Sequence, residues 1–193
     1  TWEHMALTRG RPAAGDASFS NEVAAIVADI LARPRDTAKV FADAVEMRKT
    51  IEAEKPPCDI WDIKLIPGGL IDLEFIAQCA ALTGNIEGEG RHTGRGAVLA
   101  RLKPSFADAQ VKAELSEAYA FYSGLTQVIR LCLTGPLDRD DLPPSMADLL
   151  LAVADSPDFG VLEATLKDTA ASVRKHFNAL LDRDRRPGRK SAS

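Results

Sequence analysis

The sequence predicts an all-α fold: a helical bundle with two long antiparallel helices and several shorter ones. Three observations predict it. Apolar residues recur at alternating steps of four and three over two long stretches. Shorter helical stripes stand between prolines. No stretch shows the sustained period-two alternation of a sheet. The composition permits a core, because 193 residues with 46% hydrophobic and 27% charged side chains have the balance of a globular chain.

The elements follow in order. Residues 2–7 begin helically and run into Arg9, Gly10, Arg11 and Pro12. Val23, Ile26, Val27 and Ile30 form a short amphipathic stripe that should stop near Pro34. Val40, Ala44, Met47 and Ile51 form another, ending before Pro56 and Pro57. Residues 60–66 read as a short extended segment. Residues 69–82 form a helix that is apolar over most of its circumference. Residues 84–96, rich in glycine and charge, read as an exposed loop. Val111, Leu115, Ala118, Tyr122, Leu125 and Ile129 line one seam of a long helix, roughly 108–134. Pro143 and Pro144 suit the start of a short helix near 145–154, since proline is tolerated in a first turn. Phe159, Leu162, Leu166, Ala170, Val173 and Phe177 line the second long helix. The tail from Arg183 is basic and rich in Pro, Gly and Ser, and reads as a disordered, solvated end.

Several functions are disfavoured. A net charge of -4 gives no basic excess for nucleic acid. No apolar run is long enough for a membrane span. Cys58, Cys79 and Cys132 are three and far apart, which argues against a disulfide framework and a zinc cluster and fits a reducing cytoplasm. The chain opens without Met and without a signal-peptide pattern, as expected of an excised piece of a cytoplasmic protein.

The most telling stretch is 67–75. Gly68 and Gly69 precede a helical run, and if the helix starts at about Gly69 or Leu70 its first-turn N–H groups face an open space and attract anions, including phosphates. At about 100° per residue, Asp72 falls among apolar neighbours, whereas Glu74 and Gln78 share a narrow polar strip. A carboxylate on an apolar arc needs a partner. Asp72 is either a cap that binds first-turn N–H groups, or Asp72 or Glu74 holds a cation at a site wall. Lys64 is close in sequence. Arg48 is the other choice, since it extends the Phe41, Val45 stripe. Asp72 and Glu74 diverge on a helix and would not chelate one metal ion. Arg9 and Arg11 are suited to gripping phosphate or carboxylate, or else form a solvated helix end.

The ordered set of motifs resembles a known family. Thr-Trp-Glu-His, then Arg9-x-Arg11-Pro12, Glu46-Met47-Arg48, Asp62-Ile63-Lys64, Gly68-Gly69 and Asp72-Leu73-Glu74-Phe75 look like the C-terminal helical region of glutamine synthetase adenylyltransferase, following its second nucleotidyltransferase domain. The specific match runs from Thr1 to about Leu82. Met5 and Gly10 depart from the expected polar residue and alanine.

The resemblance implies that the parent protein transfers AMP from ATP, with magnesium, to a tyrosine of glutamine synthetase in nitrogen regulation, and removes it again by phosphorolysis. It implies residues 1–16 as the end of a nucleotidyltransferase domain, 17–184 as a helical bundle and 185–193 as the tail. The superfamily's Gly-Ser-x-x-Asp-x-Asp metal site does not occur in this sequence, so the chain alone is expected to be inactive, with no catalytic residue, metal ligand or required cofactor. Arg9, Arg11, Arg48, Lys64, Gly68, Gly69, Asp72 and Glu74 are the candidates for the wall of the nucleotide site. The implied partners are the catalytic domain of the same parent chain, glutamine synthetase and the PII signalling protein. The alternative is a regulatory or docking module that binds PII or glutamine synthetase without a direct role in chemistry.

Overall fold

The computed structural model describes residues 1–88 and 95–182. These form eight helices: α1 (Trp2–Leu7), α2 (Ala17–Ala32), α3 (Thr37–Glu54), α4 (Leu70–Leu82), α5 (Arg95–Ala100), α6 (Ala109–Cys132), α7 (Pro144–Val153) and α8 (Phe159–Leu181). The described residues contain no strand, only an isolated antiparallel bridge between Ile86 and Leu102. The fold is all-α, with α6 and α8 as the two long helices and α7 between them in the chain.

Aspartates set half of the eight helix starts. Asp16 accepts from the N–H groups of Ser18 and Phe19, and Asp36 accepts from those of Ala38 and Lys39. Asp108 caps α6 through Val111, and Asp158 caps α8 through Val161. Each carboxylate satisfies a first-turn donor that the helix itself leaves unpaired. Pro144 occupies the first turn of α7, where no N–H is missed. α2 stops two residues before Pro34 and α3 two before Pro56, as the sequence predicts.

α4 is the centre of the bundle and packs against α1, α2, α3, α5, α6 and α8. Every residue of it except Glu74 is buried. Gln78, expected on a polar strip with Glu74, is itself only 5% exposed, so the strip narrows to Glu74. An all-round apolar helix is the natural core of such an arrangement.

Two expectations are corrected. Residues 60–66 are not extended. They form consecutive turns in which the Asp62 carbonyl accepts from the N–H groups of Leu65 and Ile66, while Trp61 lies edge-on against Phe159 at 5.9 Å. The apolar run reads as extended, but it has no neighbouring strand to pair with, and the turns satisfy its backbone locally. The 84–96 stretch is not wholly an exposed loop. Ile86 is buried in the core and α5 begins at Arg95. Residues 89–94 and the basic tail from Arg183 lie outside the described residues.

α6 and α8 are also joined near their open side. Glu114 accepts from Ser172 at 3.3 Å and meets His176 Nε2 at 2.5 Å, while Gln110 donates to it at 2.8 Å. The bonds from Gln110 and His176 hold the Glu114 carboxyl below its ordinary pKa.

Two buried groups predict how stability depends on pH. Burial pushes the Cys79 thiol up to about 12. Burial, and then the charge of Asp72, raise the Tyr122 phenol above its ordinary value. Both groups are neutral when protonated, so their contribution is complete below the unfolded values of 9.0 and 10.0. It is lost as pH rises through those values towards the folded ones. Urea midpoints measured against pH should therefore decline above about pH 9, and the decline should be shallower in Tyr122→Phe.

Candidate functional site

Four helices and one turn meet at the start of α4. Arg48 extends the buried stripe of α3 and is 1% exposed, because Phe41, Val45 and Arg48 share one face at helical spacing. Its Nε donates to Asp72 Oδ1, and its Nη2 donates to the carbonyls of Leu65 at 2.9 Å and Ile66 at 3.0 Å. One guanidinium thus ties α3 both to α4 and to the turn that leads into it. The planar fork suits this, since its donors diverge at fixed angles.

Asp72 is fully buried and has three partners. Besides Arg48, it accepts from the Gly68 N–H at 2.8 Å and from Arg174 Nη1 at 3.0 Å. Arg174 also lies 2.9 Å from Glu52 Oε1, which is 3.4 Å from Arg48 Nη1. Two guanidinium groups therefore face two carboxylates, and the node is neutral. That balance is what permits charge to be buried here. The cap reading of Asp72 is corrected: α4 has no side-chain cap bond, and Asp72 reaches back to the N–H of Gly68, ahead of the helix, so what it does is hold a cation. The cation is Arg48, joined by Arg174. Lys64 is exposed, and among the described residues it makes no ion pair with Asp72.

The glycine pair serves this geometry. Gly68 has φ +82, and a Cβ there would stand 1.8 Å from the carbonyl oxygen of Ala170. A Cβ on Gly69 would stand 2.2 Å from the Ile63 carbonyl oxygen. The close approach expected of Gly68 and Gly69 is that of α8 and of the preceding turn, not of an outside ligand. Tyr122 on α6 donates from its hydroxyl to the Gly68 carbonyl at 3.1 Å.

The start of α4 is consequently closed. The N–H groups of Gly69, Leu70 and Ile71 donate to the carbonyls of Ile66, Ile63 and Lys64. An open helix terminus ready for phosphate does not exist at this point, which corrects the anion-site expectation. The backbone donors that would hold the anion already have partners.

The remaining candidates lie at the periphery. α1 packs on α4, with Met5 buried. Just beyond α1, Arg9 Nη1 lies 3.5 Å from Glu74 Oε2, the one carboxylate that α4 leaves partly open. Arg11 is exposed. The structure thus brings together Arg48, Gly68, Gly69 and Asp72 inside, and Arg9 with Glu74 outside. Lys64 and Arg11 stand apart. Arg48 is enclosed and does not face an open cleft, contrary to expectation. Sequence reasoning missed Arg174, Glu52 and the Tyr122 hydroxyl. Arg174 stands four residues after Ala170, on the edge of the apolar seam of α8, a place that does not by itself separate it from a solvated arginine.

These features define a class: an all-α domain whose central helix is opened by a Gly-Gly turn and held by a buried arginine–carboxylate node. The chain belongs to the family described as GlnD PII-uridylyltransferase, whose model matches residues 45–181 and so takes in the whole node. Among curated relatives, it is 59% identical over 181 residues to a bifunctional glutamine synthetase adenylyltransferase/adenylyl-removing enzyme of Mesorhizobium japonicum. It is 48% identical over 181 residues to the protein of that name from Brucella suis, and 43% identical over 184 residues to that of Agrobacterium fabrum. Each match covers 94% of this chain but only 18%, 18% and 19% of the respective relative. The resemblance read from the motifs therefore holds, and the chain spans under a fifth of the length of the relatives it matches.

Proposed function

We propose that this chain is the helical companion of a nucleotidyltransferase domain, in a parent protein that transfers AMP from ATP to a tyrosine of glutamine synthetase and removes it. PII protein is the regulator implied for such a parent. Residues 1–16 close the catalytic domain, and α4 is the helix on which that end is seated. The observation that carries this reading is the Arg9–Glu74 pair. It joins the Arg-x-Arg segment to the helix that also carries Asp72 of the buried node, two residues along α4.

Among the described residues, no cluster of three or more metal-ligating side chains is assembled. In this reading the magnesium and the nucleotide are held by the catalytic domain of the parent. What this chain contributes is position. The node holds the 63–69 turn and the start of α4, and through Glu74 it fixes where Arg9 stands. Cations held in one geometry are what a transferring phosphoryl group requires nearby.

The test is a charge swap in the full-length enzyme. A half-exposed ion pair contributes at most about 1 kcal/mol, or roughly fivefold. Arg9→Glu alone should lower AMP transfer by more than that, and Arg9→Glu with Glu74→Arg should recover part of the loss. Single and double variants that both transfer AMP at the wild-type rate would sink the reading.

A further inference from the structure

We propose that the outer edge of the node is a binding site for a small oxyanion, a carboxylate or a phosphate, and that Glu52 is its resident substitute. Arg48 commits two of its three nitrogens inward, Nε to Asp72 and Nη2 to the carbonyls of Leu65 and Ile66. The third, Nη1, is buried and makes no hydrogen bond among the described residues. It faces Glu52 Oε1 at 3.4 Å, and Arg174 Nη1 reaches the same oxygen at 2.9 Å. Yet Glu52 Oε1 accepts a hydrogen bond from neither. Two guanidinium groups thus converge on one oxyanion position, and the carboxylate that stands there is badly aimed. A buried charged donor without a well-formed bond carries a desolvation cost that a better-placed acceptor recovers.

Glu52 is also placed so that it is easily displaced. It lies in the last turn of α3, which carries Glu52 and Glu54 and no base, where the helix dipole disfavours a carboxylate. Its side chain is 27% exposed and that of Arg174 25%, whereas Arg48 and Asp72 are sealed. An anion arriving from solvent therefore meets Arg174 first, and Glu52 can turn out to water by rotating its own side chain. The receiving group is fixed in advance, because Arg174 is held over the Phe177 ring at 5.2 Å and by Asp72 at 3.0 Å. With Glu52 turned out, two guanidinium groups face Asp72 alone, and one negative charge from outside restores the balance. Forked guanidinium donors match the paired oxygens of a carboxylate or a phosphate. None of this depends on a role in AMP transfer.

The experiment is hydrogen exchange of the full-length parent enzyme, read in peptides spanning residues 46–54 and 63–74. Inorganic phosphate and acetate are titrated separately, at an ionic strength held constant with chloride. At least one of them should slow exchange in both peptides and saturate, and the one that acts at the lower concentration identifies the class of ligand. Glu52 covers the position in the unliganded protein, so Glu52→Gln should lower the half-saturating concentration by roughly tenfold. That change is isosteric and lies at a partly exposed position, so the fold survives it. Arg174→Met should abolish the response while leaving the Arg48–Asp72 pair in place. An unchanged half-saturating concentration in Glu52→Gln would overturn the proposal. So would slowing that never saturates or that persists in Arg174→Met, since that is the general effect of excluded anions.

Discussion

Asp72→Ala should cost the chain about 3–5 kcal/mol of stability, because it leaves Arg48 buried opposite no aspartate. Arg48 is 1% exposed and cannot turn to water, and Glu52, its other acidic neighbour, is shared with Arg174. The Gly68 N–H loses its acceptor at the same time. Replacing both charges with apolar groups, Arg48→Met with Asp72→Leu, should be much milder. It removes the desolvated charges together and leaves Arg174 with Glu52. Urea denaturation of the three proteins checks this. A single variant as stable as the double one would mean that the node holds little of the fold.

Gly68→Ala should be about as damaging as Asp72→Ala, for a different reason. A left-handed backbone costs a non-glycine residue about 1–2 kcal/mol. The new Cβ would also stand 1.8 Å from the Ala170 carbonyl oxygen, a backbone atom that no side-chain rotation can move. Moving α8 away relieves the overlap only by stretching the Arg174–Asp72 bond, and moving the turn instead stretches the Tyr122–Gly68 bond. A total loss of about 3–5 kcal/mol is expected once overpacking is added. Gly84→Ala is the internal comparison. It shares the positive φ, at +71, but has nothing within 4 Å of the added carbon, so it should lose only the backbone part. Equal losses at the two positions would show that the contact with α8 does not matter.

The helices were legible because their signals are local. The seams of α6 and α8 repeat at fixed steps, and the prolines beyond α2 and α3 mark their ends within two residues. Asp72 was legible as an anomaly, since the helical wheel places a carboxylate among apolar residues before any contact is known. Arg48 was legible as a candidate because it continues the stripe of Phe41 and Val45. Arg174 was not. It lies 102 residues from its partner Asp72, and nothing local distinguishes an arginine at the edge of a seam from a solvated one. The closure of the α4 start was hidden for the same reason. Whether N–H groups after Gly68 and Gly69 are open depends on where residues 63–66 go. Their apolar spacing reads as extended, whereas a turn built on the Asp62 carbonyl brings their carbonyls back onto the helix. Tyr122 read as one more apolar member of the α6 seam, because spacing says nothing about where its hydroxyl finds an acceptor.

The most direct measurement is AMP transfer to glutamine synthetase by the full-length enzyme carrying Arg48→Met with Asp72→Leu. Its thermal unfolding is recorded alongside. If the node exists to position the start of α4, whose Glu74 pairs with Arg9, the double variant stays folded while transfer falls by roughly tenfold or more, as small misplacements near a phosphoryl-transfer site do. A folded double variant that transfers AMP at the wild-type rate would contradict the account.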